Sequence, residues 1–108
     1  MAQLIRTVNR LLADKLIQKM EPISTECAKV WVTNTHIFTI VIGDDYYGIG
    51  ITELLEVCRK EPHIDYVVLS DWQEITQAAK EFCQEKGIPV VKLKEFRHIL
   101  HKILKNEV

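Results

Sequence analysis

Residues 64–93 read IDYVVLSDWQEITQAAKEFCQEKGIPVVKL, and how this stretch divides decides the fold. Tyr66 to Leu69 contain no charge, as happens when both faces of a strand are covered. Ser70 or Asp71 can cap a following helix, with Gln73 or Glu74 three residues on completing a capping box. Gly87 is a natural left-handed terminator for that helix, and IPVVKL then reads as another strand. The segment between the two strands is long enough for a right-handed crossover, so the strands are expected to be parallel.

Working outward, VWVTNTH and IFTIVIG are rich in Val, Ile, Thr and aromatic residues, which suit a pleated surface, and predict two strands. Thr52 opens TELLEVCRKE, a short helix in which Leu54, Leu55 and Cys58 can face inward. At the amino end, Leu4, Val8, Leu11, Leu12, Leu16 and Met20 recur at helical spacing, predicting an amphipathic helix ended by Pro22. Its apolar face is either core cover or an assembly surface. EPISTECA reads as a loop, and Phe96, Ile99, Leu100 and Ile103 form the apolar stripe of a carboxyl-terminal helix. The expected architecture is a single small α/β domain over residues 1–108, a mixed sheet of four to five strands with helices packed on it in two or three layers.

The chain has 108 residues, a common size for one core. A net charge of −1 argues against whole-surface attraction to nucleic acid, although a local basic face is compatible with it. Cys27, Cys58 and Cys83 are far apart and lack a Cys-x-x-Cys pair, so buried thiols are expected rather than disulfides or zinc. Charges interrupt the amino-terminal apolar residues every few positions, unlike a signal peptide or a membrane span. A cytoplasmic protein with no membrane contact is the expectation.

Candidate chemistry centres on VIGDDYYGIG, residues 41–50. Asp44 and Asp45 follow one apolar run and Asp71 follows another, and ligands in open α/β sheets bind beyond the carboxyl ends of strands. Together these acids would suit Mg²⁺, which takes carboxylate and water oxygens in octahedral geometry. Gly-Asp-Asp is equally a turn sequence, and Asp71 equally a helix cap; these are the plainer readings. If Tyr46 to Ile51 continue as a strand, one tyrosine faces the core and the other solvent. Trp72 would pack as a lid over the helix start. His98 and His101 can share a metal but have no evident third ligand; with Arg97, Lys102 and Lys105 they read as a solvated basic face able to touch phosphate or an acidic partner. Nucleophile elbows, dinucleotide fingerprints and phosphate loops are missing from the sequence.

The span from Ile64 to Leu100, IDYVVLSDWQEITQAAKEFCQEKGIPVVKLKEFRHIL, resembles the carboxyl-terminal half of restriction-endonuclease-like domains, particularly the Mrr-type branch. The resemblance implies an upstream meander, built from VWVTNTH, FTIVIG and YYGIGI. It also implies a catalytic Asp, matched by Asp44 or Asp45, followed on the next strand by Asp, Glu or Gln, any residue, then Lys. YYGIGI holds none of these, and Gln84-Glu85-Lys86 has the letters but closes a helix. A similarity of TIVIGDD and DYVVLSD to response-regulator receivers fails on spacing. The expectation is therefore a non-catalytic restriction-endonuclease-like binding or accessory domain, a homo-oligomer or a subunit with a protein partner, in nucleic-acid metabolism or defence. No cofactor is expected. The alternatives are a Mg²⁺-dependent nuclease or phosphohydrolase using Asp44 and Asp45, and an interaction module with no nucleic-acid role.

Overall fold

The computed structural model describes residues 3–106. The first helix, α1 (Gln3–Ala13), buries Leu4, Val8 and Leu11 and exposes Arg6 and Arg10. It stops well before Pro22, which corrects the periodicity reading. Lys15 adopts φ 60°, Lys15 N donates to Leu12 O (3.0 Å), and Leu16 N donates to Leu11 O (2.9 Å). These are the paired closing bonds of a Schellman motif. Leu16 and Ile17 keep the apolar rhythm because the chain turns under and buries them, not because the helix continues. Met20 instead belongs to a strand, β1 (Lys19–Pro22), that the sequence reading missed. Pro22 is tolerated there because β1 is an edge strand.

Next come β2 (Cys27–Trp31), β3 (Ile37–Val41), α2 (Ile51–Lys60), β4 (Tyr66–Leu69), α3 (Gln77–Lys86), β5 (Val90–Lys92) and α4 (Leu93–Asn106). The strands form one sheet in the order β1-β2-β3-β4-β5. The first three make an antiparallel meander, and β3, β4 and β5 are parallel. The expected mixed α/β sheet is therefore present, with five strands and four helices among the described residues. Its meander differs from the expected one. β2 begins at Cys27, inside the segment read as a loop, and YYGIGI is not a strand.

Both crossovers step the same way along the sheet, and right-handed connections then place both helices on one face. Leu54 and Val57 of α2 and Ala79 and Cys83 of α3 accordingly share a core with Val41, Val67 and Leu69. On the opposite face Leu4, Val8 and Leu11 of α1 and Phe96 and Leu100 of α4 pack with Ala28, Val30, Ile40, Ile42, Val68 and Val91. The architecture has three layers. The apolar face of α1 is core cover, so that helix presents no apolar assembly surface there. Helix ends follow local chemistry: Thr76 Oγ1 accepts from Ala79 N (3.3 Å) to open α3, and Gly87, at φ 70°, closes it. Asp71 is thus not the cap of α3, and α2 opens at Ile51, one residue before Thr52.

Because Lys15 occupies the left-handed region, Lys15→Gly removes the steric cost of its Cβ. Chemical denaturation should show a stability gain of roughly 0.5–1 kcal/mol, the left-handed penalty less the added freedom of the unfolded glycine.

Candidate functional site

The parallel strands β3 and β4 end side by side, and each runs into a β-turn. After Val41 the chain passes through buried Ile42 and Gly43 and turns at Asp45-Tyr46-Tyr47-Gly48, where Gly48 N donates to Asp45 O (2.8 Å). After Leu69 it turns at Ser70-Asp71-Trp72-Gln73, where Gln73 N donates to Ser70 O (3.0 Å). Gln73, 0% exposed, joins the two turns. Its Nε2 donates to Gly43 O (2.7 Å) and Asp45 O (2.9 Å), and its Oε1 accepts from Ser70 N (2.9 Å). Glu74 N donates to Tyr46 O (2.8 Å), and Lys92 Nζ, at the end of β5, donates to Gln73 O. The backbone approach is close: a Cβ on Gly43 would lie 1.8 Å from Gly48 O, so only glycine fits.

This frame holds three aromatic side chains in solvent. Tyr46 is 55%, Tyr47 54% and Trp72 50% exposed. Of the five large hydrophobic residues exposed among the described ones, these three gather on the two adjoining turns. The expectation that one tyrosine would enter the core fails, because both occupy central turn positions and stack edge-to-face on each other, with centroids 5.0 Å apart. Trp72 is likewise no lid over a helix start, since α3 begins five residues later at Gln77.

Asp44, Asp45, Asp71 and Glu74 are exposed around the aromatics. Asp44 Oδ1 accepts from Gln3 N (2.6 Å) at the amino end of α1, where a carboxylate complements the helix dipole. Gln3 Nε2 also donates to Ser70 Oγ (2.7 Å), so α1 is fastened to both strand ends. Among the described residues, no group of three or more His, Cys, Asp and Glu is placed to hold a metal ion. Asp44 and Asp45 stand at the end of β3 and Asp71 in the turn after β4, and Asp44 has a structural partner. Glu26, immediately before β2, was not foreseen as part of this edge. It is half-buried, and its carboxyl is raised above the ordinary value by burial first, then by the charges of Glu53, Asp44 and Asp45. It lines a cleft of about 190 Å³ with Ser24, Thr25, Glu53, Glu56 and Lys60.

The basic residues of α4 divide into two roles. Arg97 Nη2 bonds Asp14 Oδ2 (2.8 Å), strapping α4 to the end of α1 and lowering the Asp14 carboxyl, chiefly through that hydrogen bond. His98, His101, Lys102 and Lys105 are exposed with Lys94, forming a stripe away from the core residues Phe96 and Leu100. The three cysteines are free thiols: Cys27 and Cys83 are buried, and burial pushes them up to about 12 and about 11, while half-buried Cys58 is also raised by burial. No helix among the described residues is long and apolar enough to cross a membrane. No family model, curated protein or solved structure matches the chain.

Gln73→Ala would strand Gly43 O and Ser70 N in a buried site, while Asp45 O keeps its bond from Gly48 N. Urea unfolding should show a loss of about 2–4 kcal/mol, since each buried unsatisfied polar group costs about 1–3 kcal/mol. Glu26→Gln should act oppositely. Because the folded carboxyl is raised, the native state bears the cost of its charge above the window that begins near the ordinary value of 4.5. The variant should melt higher than the parent at neutral pH, with the difference vanishing as pH falls below that value.

Proposed function

We propose that this chain is a non-catalytic binding or accessory domain of restriction-endonuclease-like kind, and that the turn pair at the carboxyl edge of its sheet is the surface that engages a protein partner. The coarse order of elements supports the reading, with a helix, an antiparallel meander and then alternating helices and parallel strands, but the meander is built from β1, β2 and β3 and not from the VWVTNTH, FTIVIG and YYGIGI that the resemblance implies. The observation that carries the non-catalytic part is the make-up of the strand after each acid. After Glu26 the next strand is β2, whose residues are Cys, Ala, Lys, Val and Trp, with a lysine but no carboxylate. After Asp44 and Asp45, the next strand is β4, whose residues are Tyr, Val, Val and Leu. Neither strand supplies the second carboxylate that would share a metal ion with the first, and β4 has no lysine either. Gln84-Glu85-Lys86 lies exposed at the end of α3, before the Gly87 cap.

Charge selects the partner class. Acids surround the exposed aromatics, and phosphate backbones are repelled by such an edge. Rigid Tyr and Trp side chains are the groups that concentrate binding energy in protein interfaces. A second reading, contact with nucleic acid through the α4 stripe, is favoured by the exposed Lys94, His98, His101, Lys102 and Lys105. Retention on DNA that falls steeply with salt and is lost in Lys102→Ala/Lys105→Ala would mark it. Incubation with varied DNA and RNA in the presence of Mg²⁺ or Mn²⁺ should give no cleavage above a protein-free blank. Cleavage that disappears in Asp45→Ala would overturn the non-catalytic reading and favour the Mg²⁺-dependent alternative.

A further inference from the structure

We infer that the turn pair receives a basic segment of a protein partner, whose arginine side chains stack on Tyr46, Tyr47 and Trp72 and pair with Asp45, Asp71 and Glu74. The inference rests on the reading of this edge as the binding surface and specifies the chemistry of its ligand.

Three features of the edge lead to that chemistry. The first is the aromatic group itself. Two adjoining β-turns hold their aromatics at central positions, outside both cores, half or more exposed. The face of an aromatic ring attracts a cation, and a planar guanidinium also stacks on it. The second is the surrounding charge. Asp45 and Asp71 lie in the same turns as the aromatics, and Glu74 comes directly after, its backbone bonded to Tyr46. The carboxyl of neighbouring Glu26 is raised by its burial first and then by the negative charges of Glu53, Asp44 and Asp45. Lys92, at the end of β5, is engaged by Gln73 O, and Lys94 begins the α4 stripe. A guanidinium therefore meets both an aromatic face and carboxylates that can accept its paired N–H groups. A phosphate or an acidic lipid headgroup meets repulsion.

The third feature is rigidity. Gln73 fixes both turns from beneath, and the Gly43–Gly48 approach leaves no room for them to slide. Turns held this way lose little conformational freedom on binding, so more of the contact energy appears as affinity. Arginine is favoured over lysine because the ammonium is a strongly hydrated point charge that neither stacks nor bonds bidentately.

The test uses the full chain carrying Trp31→Phe, so that Trp72 is the only indole and its emission reports the edge. Short fluorescein-labelled peptides alternating glycine with arginine, lysine or glutamate are titrated at low and high salt. The arginine peptide should bind, shift the Trp72 emission and weaken with salt. The lysine peptide should bind less tightly and the glutamate peptide not at all. In anisotropy measurements, Tyr47→Ser and, separately, Trp72→Ala should each weaken arginine-peptide binding by about tenfold or more, with thermal unfolding little changed because both side chains are exposed. Lys102→Ala should leave binding unchanged. Absence of arginine-peptide binding, equal binding of the glutamate peptide, or binding insensitive to Trp72→Ala would overturn the inference. A mass that rises with concentration and returns to monomer in Trp72→Ala would assign the face to a second copy of the chain and equally overturn it, as would DNA retention lost in that variant. Failure with a cleavage-negative chain refutes only the basic segment; cleavage abolished by Asp45→Ala refutes the non-catalytic reading whatever the peptides do.

Discussion

The central strands β3 and β4 are apolar on both faces, and the rest of the structure answers that constraint. Ile40, Ile42 and Val68 point to one side while Val41, Val67 and Leu69 point to the other. Such strands can be covered only by helices on both sides of the sheet. The two crossovers supply one layer, because right-handed connections stepping in one direction deposit their helices on one face. That leaves the opposite face to α1 and α4, and both must be fastened there. The Schellman closure after Ala13 and the Arg97–Asp14 pair hold them together at one end. The bonds from Gln3 to Asp44 and Ser70 hold α1 at the other.

A consequence of this topology is that polar groups accumulate at one edge. The carboxyl ends of β3, β4 and β5 meet the amino ends of α1, α2 and α4 there, and every turn brings backbone donors and acceptors without sheet partners. An unsatisfied buried group costs as much as several favourable surface contacts contribute. Gln73 meets this need with a single side chain: one amide, fully buried, serves two carbonyls and one N–H drawn from both turns. The same arrangement explains why the aromatics face outward. With Gly43 pressed against Gly48 and Gln73 filling the space beneath, the core has no room for Tyr46, Tyr47 or Trp72.

Much of the fold is legible in the sequence where one signal dominates. The uncharged run Tyr66–Leu69, the Gly87 stop and the Phe96–Leu100 stripe correspond to β4, the end of α3 and the buried face of α4. The amino-terminal third is less legible because two signals coincide. Apolar residues continue at helical spacing through Leu16 and Met20, although the first is buried by a turn and the second lies in an edge strand. Nothing local marks Lys15 as left-handed, since glycine is the usual residue there. At the candidate site the acids are visible as letters, and their turn reading is correct for Asp45. Gln73 is not visible, because its partners at Gly43 and Asp45 lie about thirty residues away and only the pairing of β3 with β4 brings them near.

A near-zero net charge hides a division of charge across the molecule. Acids crowd the edge formed by Glu26, Asp44, Asp45, Glu53, Asp71 and Glu74, while Lys94, His98, His101, Lys102 and Lys105 run along α4. Coulomb interactions near a surface are screened within about 8 Å at physiological salt, so a partner responds to the face it approaches and not to the sum over the chain. That is why −1 is uninformative here about nucleic acid or protein, and why the position of the aromatics matters more. Placed beside α4, Tyr and Trp side chains would suit stacking on bases next to cations that hold phosphate. Placed among carboxylates, as they are, they suit a cationic side chain. The same letters in the same composition thus lead to different proposals, and it is the pairing of β3 with β4, which sets the two turns against each other, that places these aromatics beside Asp45 and Asp71.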